Sequence, residues 1–250
     1  MNGVLTRGAL ASALARSFLI QGSWNYHTMI GSGFAFAMLP GLRRIFRTDP
    51  ARMDESVRRH LEHFNAHPYL STVALGAVLR LEADGADADT VRRFKVAVRG
   101  PLGSLGDTLV WAAWLPAVSA AALSLYWLGL PTWLVVGFFL VVYNLGHLGL
   151  RAWGFRAGLA QGRDVGRFLG RADLSSWAAR VQRLAVALLG VLAGGVLAGS
   201  GGLAEAGSLW VGLGAAGFLA GLLAGHRVWR PAAVAVVVAI VVLSATGVLQ

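Results

Sequence analysis

SFLIQGSWNY, Ser17 to Tyr26, opens a stretch without Asp, Glu, Lys or Arg that runs on to Leu42. That length is enough to cross a bilayer, for which a helix needs about 20 apolar residues. Its first half nevertheless carries Gln21, Ser23, Asn25 and His27. Amides and an imidazole are costly in hydrocarbon unless they face a partner, a cavity or a substrate. The segment therefore reads as one that handles something polar at membrane depth.

The rest of the chain supports a membrane setting. Of its 250 residues, 56% are hydrophobic and only 14% charged, where a soluble domain carries about 25% charged residues. Net charge is +10, and all but one of the 22 basic residues are Arg. Topology accounts for this basic balance better than nucleic-acid binding does, so no nucleic-acid partner is expected. There is no cysteine, which removes disulfides, thiolate catalysis and cysteine-held metals. No cleavable leader is expected, because the first basic residues precede a polar-containing segment without a small-residue cleavage site.

Further uncharged runs are His63–Leu79, Thr108–Leu150, Leu184–Ala204, Ala206–Gly225 and Pro231–Gln250. Thr108–Leu150 is broken at Gly129-Leu130-Pro131 and reads as a hairpin of two crossings. Leu184–Ala204 and Ala206–Gly225 read as a second pair, turning at Ser200-Gly201-Gly202, and Pro231–Gln250 as a last crossing. The tips of both hairpins carry no Arg or Lys. Every basic residue then falls on one side, provided that Ser17–Leu42 and His63–Leu79 enter and return. The expected fold is an all-α integral membrane protein with re-entrant helical hairpins and about five transmembrane helices. The N-terminus would be cytoplasmic and the C-terminus extracytoplasmic. Glycine-interrupted returning segments of this kind typify transporter substrate sites.

The connections between runs also look helical. Asp49-Pro50 is a cap with Pro in the first turn, and Met53, Val57, Leu61 and Phe64 would share one face. Asp89 or Thr90 would cap another helix ending at Gly100-Pro101. Val165, Phe168, Leu169, Trp177 and Val181 suit an interfacial helix between Arg151 and Arg183. By this reading residues 1–158 form a polar-rich core, 159–183 a cytoplasmic or interfacial connection, and 184–250 three C-terminal transmembrane helices.

Few side chains suggest chemistry. His60, His63 and His67 have a metal-face spacing, but Pro68 ends any helix before His67 joins that face, so no metal is expected. Gly103-Ser104 with a distant His does not make a nucleophile–base pair. Asp107 opens the longest uncharged run, either as a helix cap or as a group holding a loop or a substrate hydroxyl. Asn65 is likewise a cap or a hydroxyl contact. Asn144 and His147, one turn apart, are placed to bond across helices. Trp24 beside Gln21 and Asn25 has the pairing of aromatic face and amides that binds sugars.

Several blocks in order carry a resemblance. SFLIQGSWNY is followed by GFAFAMLPGLRR (Gly33–Arg44), RRHLEHFNAHPYL (Arg58–Leu70), LGAVLRLE (Leu75–Glu82), KVAVRGPLGSLGD (Lys95–Asp107) and YNLGHLGLRAWGFRAG (Tyr143–Gly158). The chain resembles the enzyme IID membrane subunit of mannose/fructose/sorbose-type sugar phosphotransferase systems. It differs in having His27-Thr28 where an acidic–basic pair is usual, and His63 where Phe is usual. The resemblance implies an elevator-type transporter subunit in the bacterial inner membrane, obligately paired with enzyme IIC. It implies a hexose-type sugar moved inward and phosphorylated by a transient partner, phosphorylated enzyme IIB, which carries the donor His. This subunit would then be non-catalytic and need no cofactor. The implied sugar-side residues are Gln21, Trp24, Asn25, Asn65 and His67, with Asp107 in a loop against them. A non-transporting scaffold or regulatory remnant is the alternative.

Overall fold

The structure, a computed structural model, describes residues 4–199. The sequence expectations for the turn at Ser200–Gly202 and for Ala206–Gly225 and Pro231–Gln250 lie outside these residues. The described chain is helical, with two isolated bridges but no strand.

Two hairpins come first. Helix α1 (Arg7–Arg16) is capped by Thr6, whose hydroxyl accepts from the Ala9 amide. A 3₁₀ turn (Ser17–Leu19) and a loop lead to α2 (Gly31–Ile45). The two helices are antiparallel, because Leu5 meets Gly41, Arg16 bonds to the Phe36 carbonyl, and Ile20 meets Gly33. Arg7 and Arg43-Arg44 therefore end up together. The returning hairpin expected inside Ser17–Leu42 has a different first arm, the Arg-bearing α1. Only the loop and α2 lie in the uncharged run.

Helix α3 (Pro50–Leu61) climbs back along α2 until the Leu61 and Glu62 carbonyls meet Gly31. Asp49 accepts from the Arg52 amide, as read from sequence. Met53 and Val57 pack on the core, but Leu61 is exposed and Phe64 enters the core from the loop beyond the helix. The helix ends at Leu61 because the Phe64 backbone pairs with Thr28 and Ile30 instead of continuing the turn. Helix α4 (Ser71–Ala83) descends through the middle of the bundle, with Val73 to Leu79 buried.

Helix α5 (Ala88–Gly106) is capped by Asp87, not by Asp89 or Thr90: the Asp87 carboxylate takes both the amide and the hydroxyl of Thr90. Nor does it end at Gly100-Pro101. Pro101 sits within the helix, where its fixed φ suits the turn and one hydrogen bond is forgone. The helix runs on through a π-helical segment (Asp107–Trp114) into α6 (Leu115–Trp127), forming 40 continuous helical residues. Pro116 lacks an N–H and crowds the carbonyl a turn earlier, which is a local reason for the loosened turn before it. Asp107 is thus interior to a helix and is not an N-terminal cap.

The break at Gly129-Leu130-Pro131 falls where the spacing placed it, with Gly129 at φ +88°. Helix α7 (Thr132–Gln161) then returns the full length of the molecule. Its lower half crosses α4 at very short range. A Cβ at Gly76 would fall 2.3 Å from the Phe155 carbonyl oxygen, and one at Gly158 would fall 2.1 Å from that of Val73. Small residues let the two backbones meet there.

The Arg151–Arg183 connection divides into the end of α7, a short α8 (Val165–Arg171) and the start of α9 (Leu174–Gly199). Its apolar side chains do not form one lipid-facing stripe. Val165 and Leu169 pack on the bundle core, Phe168 lies against Trp153, and Val181 packs with Ala113 and Ala117. Helix α9 begins ten residues before the boundary at 184 read from charge, because the seam with α6 starts at Ala178.

One polar knot lies inside the bundle. A single oxygen of buried Glu82 accepts from Ser56 Oγ (3.0 Å), Arg59 Nη2 (2.8 Å) and His60 Nε2 (2.9 Å). Lys95, the one lysine, donates to the Arg59 carbonyl at 2.8 Å. These donors hold the Glu82 carboxyl at a pKa of about 2 despite the opposing effect of burial. Burial lowers His60 to about 4, so it serves as a neutral donor.

Candidate functional site

The expected site residues sit where two loops and the top of α5 converge. In the first loop Asn25 acts as its own clasp. Its oxygen accepts the His27 and Thr28 amides (3.0 and 2.9 Å), and its nitrogen donates to Thr28 Oγ1 and the Ser23 carbonyl (2.8 and 3.2 Å). This is an Asx-type closure, and it occupies the hydrogen-bonding capacity of the amide. Met29 takes a left-handed conformation, φ +55°, beside it. The loop is zipped to the second one: Ile30 donates to the Phe64 carbonyl (3.0 Å), and Phe64 to that of Thr28 (3.1 Å).

The second loop, Glu62–Leu70, lies against α5, with Gly103 facing Ala66 and Gly106 facing His67. His67 is only 2% exposed. Its Nδ1 accepts from the Tyr69 amide at 3.2 Å, and its Nε2 is buried without a hydrogen-bond partner among the described residues. The Trp111 ring of the π-helical segment covers it at 5.3 Å.

The remaining site residues are open. Trp24 is 45% exposed and meets the edge of Tyr26 at 4.8 Å. Gln21, Asn65 and Asp107 are exposed, and their side chains have no hydrogen-bond partner among the described residues. Asn65 therefore caps nothing. The geometry separates an outward set (Gln21, Trp24, Asn65, Asp107) from a clasp (Asn25) and a covered imidazole (His67).

His60, His63 and His67 diverge, toward Glu82, Arg99 and Trp111 respectively. No group of three His, Asp or Glu among the described residues is placed to hold a metal. Two surface recesses are clearest. One of about 310 Å³ is lined by Arg80, Asp84, Gln161 and Arg163, and one of about 350 Å³ by Trp133, Gly137, Phe138 and Val141. Neither is lined by Gln21, Trp24, Asn25, Asn65, His67 or Asp107.

Beneath both loops is a cluster of which the sequence pattern singles out only His147. Tyr69 stacks on His147 (4.0 Å, 22°) and shares a 2.8 Å hydrogen bond with the Tyr143 hydroxyl. Arg151 Nε donates to His147 Nε2 at 2.7 Å. Asn144, expected to reach across helices, bonds to its own helix at the Leu140 carbonyl. The available signal was the spacing of Tyr143, His147 and Arg151, one face of α7 at four-residue intervals.

Two helices long and apolar enough to cross a membrane rise from a helical bundle with a charged surface, and exposed polar and aromatic side chains lie on the loops between them. The chain belongs to the mannose/fructose/sorbose family IID component of phosphotransferase systems, whose family model matches residues 4–199. It is 32% identical over 193 residues to the mannose-specific EIID component of Escherichia coli K12, covering 75% of this chain and 68% of that one. It is 29% identical over 195 residues to the sorbose-specific EIID component of Klebsiella pneumoniae, covering 75% and 69%. Among solved structures it resembles a chain of the mannose transporter ManYZ in complex with microcin E492, with TM-score 0.59, 31% identity and coverage of 76% and 70%. A chain from a structure described as a membrane protein matches with TM-score 0.68, 30% identity and the same coverage.

Proposed function

We propose that this chain pairs with an enzyme IIC subunit to form a transporter that moves a hexose-type sugar inward, coupled to its phosphorylation by enzyme IIB. Family membership supports the transport role. The observation that carries the partnership is the open patch itself: Gln21, Trp24, Asn65 and Asp107 offer amides, a ring face and a carboxylate without enclosing a cavity. A sugar gains little from a surface it cannot be buried in, so a second subunit is needed to close the site. The phosphoryl group comes from enzyme IIB, and this chain contributes binding and orientation.

The proposed membrane placement follows from lengths. Asp107 to Leu128 rises about 32 Å at 1.5 Å per residue, close to a hydrocarbon core of about 30 Å. Trp111 and Trp114 fall near one boundary and Tyr126, Trp127 and Trp133 near the other, as interface anchors do. The charged ends of the first two hairpins lie on the cytoplasmic side in this reading, their loops meet the membrane boundary, and the mobile part moves as an elevator. A cysteine replacing exposed Arg47 should resist impermeant label applied outside intact cells. Modification from outside would overturn the orientation.

The test of function is sugar uptake by cells expressing this chain with and without its enzyme IIC partner. Uptake should need both. In the active complex, Gln21→Ala and Asn65→Ala should keep normal abundance and weaken sugar binding about tenfold each, for a net loss near 1.4 kcal/mol. Normal affinity in both variants would remove these residues from the site.

A further inference from the structure

Arg151 is 4% exposed, yet no carboxylate among the described residues lies within 4 Å of it. A buried cation without a counter-ion is expensive, so its contacts indicate what it is for. Nη1 donates to the Ser17 carbonyl (2.8 Å) and to Ser17 Oγ (3.2 Å). Nε donates to His147, which stacks on Tyr69. The guanidinium carbon lies 4.8 Å from the Phe18 ring centre and 5.0 Å from that of Tyr69. Ser17 and Phe18 begin the loop that carries Gln21 and Trp24, and Tyr69 closes the loop that carries Asn65 and His67. One side chain on α7 thus grips both loops, each at the end nearest the bundle.

We infer that Arg151 is a positioning residue that fixes the two proposed sugar loops against α7 and against each other. The inference rests on the transport reading above. The planar fork is essential, because it donates in two directions while presenting a flat face to two rings. A lysine keeps the charge but reaches one acceptor at a time. An anionic partner would hold the cation in place by itself. Neutral acceptors and rings hold it only if both loops are seated, so the position of Arg151 and that of the loops are mutually dependent. Displacement of a substrate-holding loop by about 1 Å is enough to cost large factors in productive binding.

The test compares Arg151→Lys with the natural chain, each assembled with the partner subunit, using mannose, fructose and sorbose as probes. The expected result is an amount of complex like that of the natural chain, a half-saturating sugar concentration raised about tenfold or more, and a maximal rate within about twofold. Unchanged half-saturation overturns the inference. So does a loss of complex with unchanged affinity, which is the mark of a merely structural residue. Phe18→Leu removes one ring from the grip at a half-exposed position, and should raise half-saturation about threefold even if Arg151→Lys fails to assemble; no rise overturns the inference. Labelling provides a readout independent of transport. A cysteine at buried Ile20 should react with a small thiol reagent faster in the Arg151→Lys background, and equal rates overturn the inference. If the natural complex moves none of the three sugars, the transport reading fails, while the labelling still decides the role of Arg151.

Discussion

The lower bundle and the hairpin above it are both rich in apolar residues, but for opposite reasons. In the bundle, Phe34, Met38, Leu75 and Leu79 are fully buried, and the outer faces of α3 and α5 carry Asp54, Arg58, Asp89, Arg92 and Arg93. In the hairpin, Trp133 is 73% exposed and Leu145 65%. The bundle is stabilised by removing side chains from water, together with a buried ionic knot. The hairpin holds together through helix turns and the packing of α6 against α7 and α9, and its outward side chains await another solvent. The lesson is that an uncharged run has two meanings. Helix α4 is apolar because α2, α5 and α7 surround it, and the upper half of α7 is apolar although most of its side chains stay exposed among the described residues.

The largest break in this contrast should come from Glu82→Gln. It takes away the carboxylate 2.8 Å from buried Arg59 and leaves it only the exposed Glu55 at 3.9 Å, and loss of a buried partner costs about 3–5 kcal/mol. The complex should fall sharply in abundance and the bundle should melt early; an unchanged melting profile would show that the knot contributes little. Gly158→Ala comes next, at about 3 kcal/mol, because the new methyl meets a backbone carbonyl that cannot rotate away. The check is the thermal stability of the purified complex, and an effect under 1 kcal/mol would mean that α4 and α7 separate easily.

Acidification should separate the two regions without mutation. Burial holds folded His60 at about 4, below its ordinary 6.5. Its contribution is therefore complete above pH 6.5 and declines as pH falls toward 4, since the unfolded chain takes up a proton there and the folded bundle does not. Between pH 7.5 and 5 His60 alone should cost the bundle about 2 kcal/mol. Glu82, held near 2, adds its own loss only below its ordinary 4.5. The hairpin has no Asp, Glu, His, Lys or Arg between Thr108 and Gly146, so helicity measured there should not respond. A common response of both regions to pH would contradict their independence.

Smaller effects complete the contrast. Gly129→Ala strains the turn at φ +88° without any steric clash, and should cost about 1 kcal/mol. Leu145→Ala removes an exposed side chain, and should stay within about 0.5 kcal/mol for the single chain. A larger loss in the assembled complex would locate a partner contact on that face.

Much of this was readable from local pattern. The Gly129-Leu130-Pro131 turn, the Asp49-Pro50 start and the helical class follow from residues acting on their near neighbours. The Asp87 cap was missed because three acids in six residues offer similar local chemistry, and only the backbone path selects one. Helix ends at Gly100-Pro101 were misread because Pro at a position with helical φ stops nothing by itself. The residues of the candidate site stand out in the sequence by type, but not by placement: no spacing reveals that Asn25 closes its own loop or that Trp111 covers His67.

Sequence by itself determined the composition that demands a membrane, the charge asymmetry along the chain and the lengths of its apolar runs, because these depend on residue identity and order alone. Tertiary structure decided which runs are enclosed by protein, which oxygen collects Ser56, Arg59 and His60, and that Arg151 grips loops more than 80 and more than 130 residues away. Those choices are set by contacts between distant segments, and a contact between distant segments has no local signature.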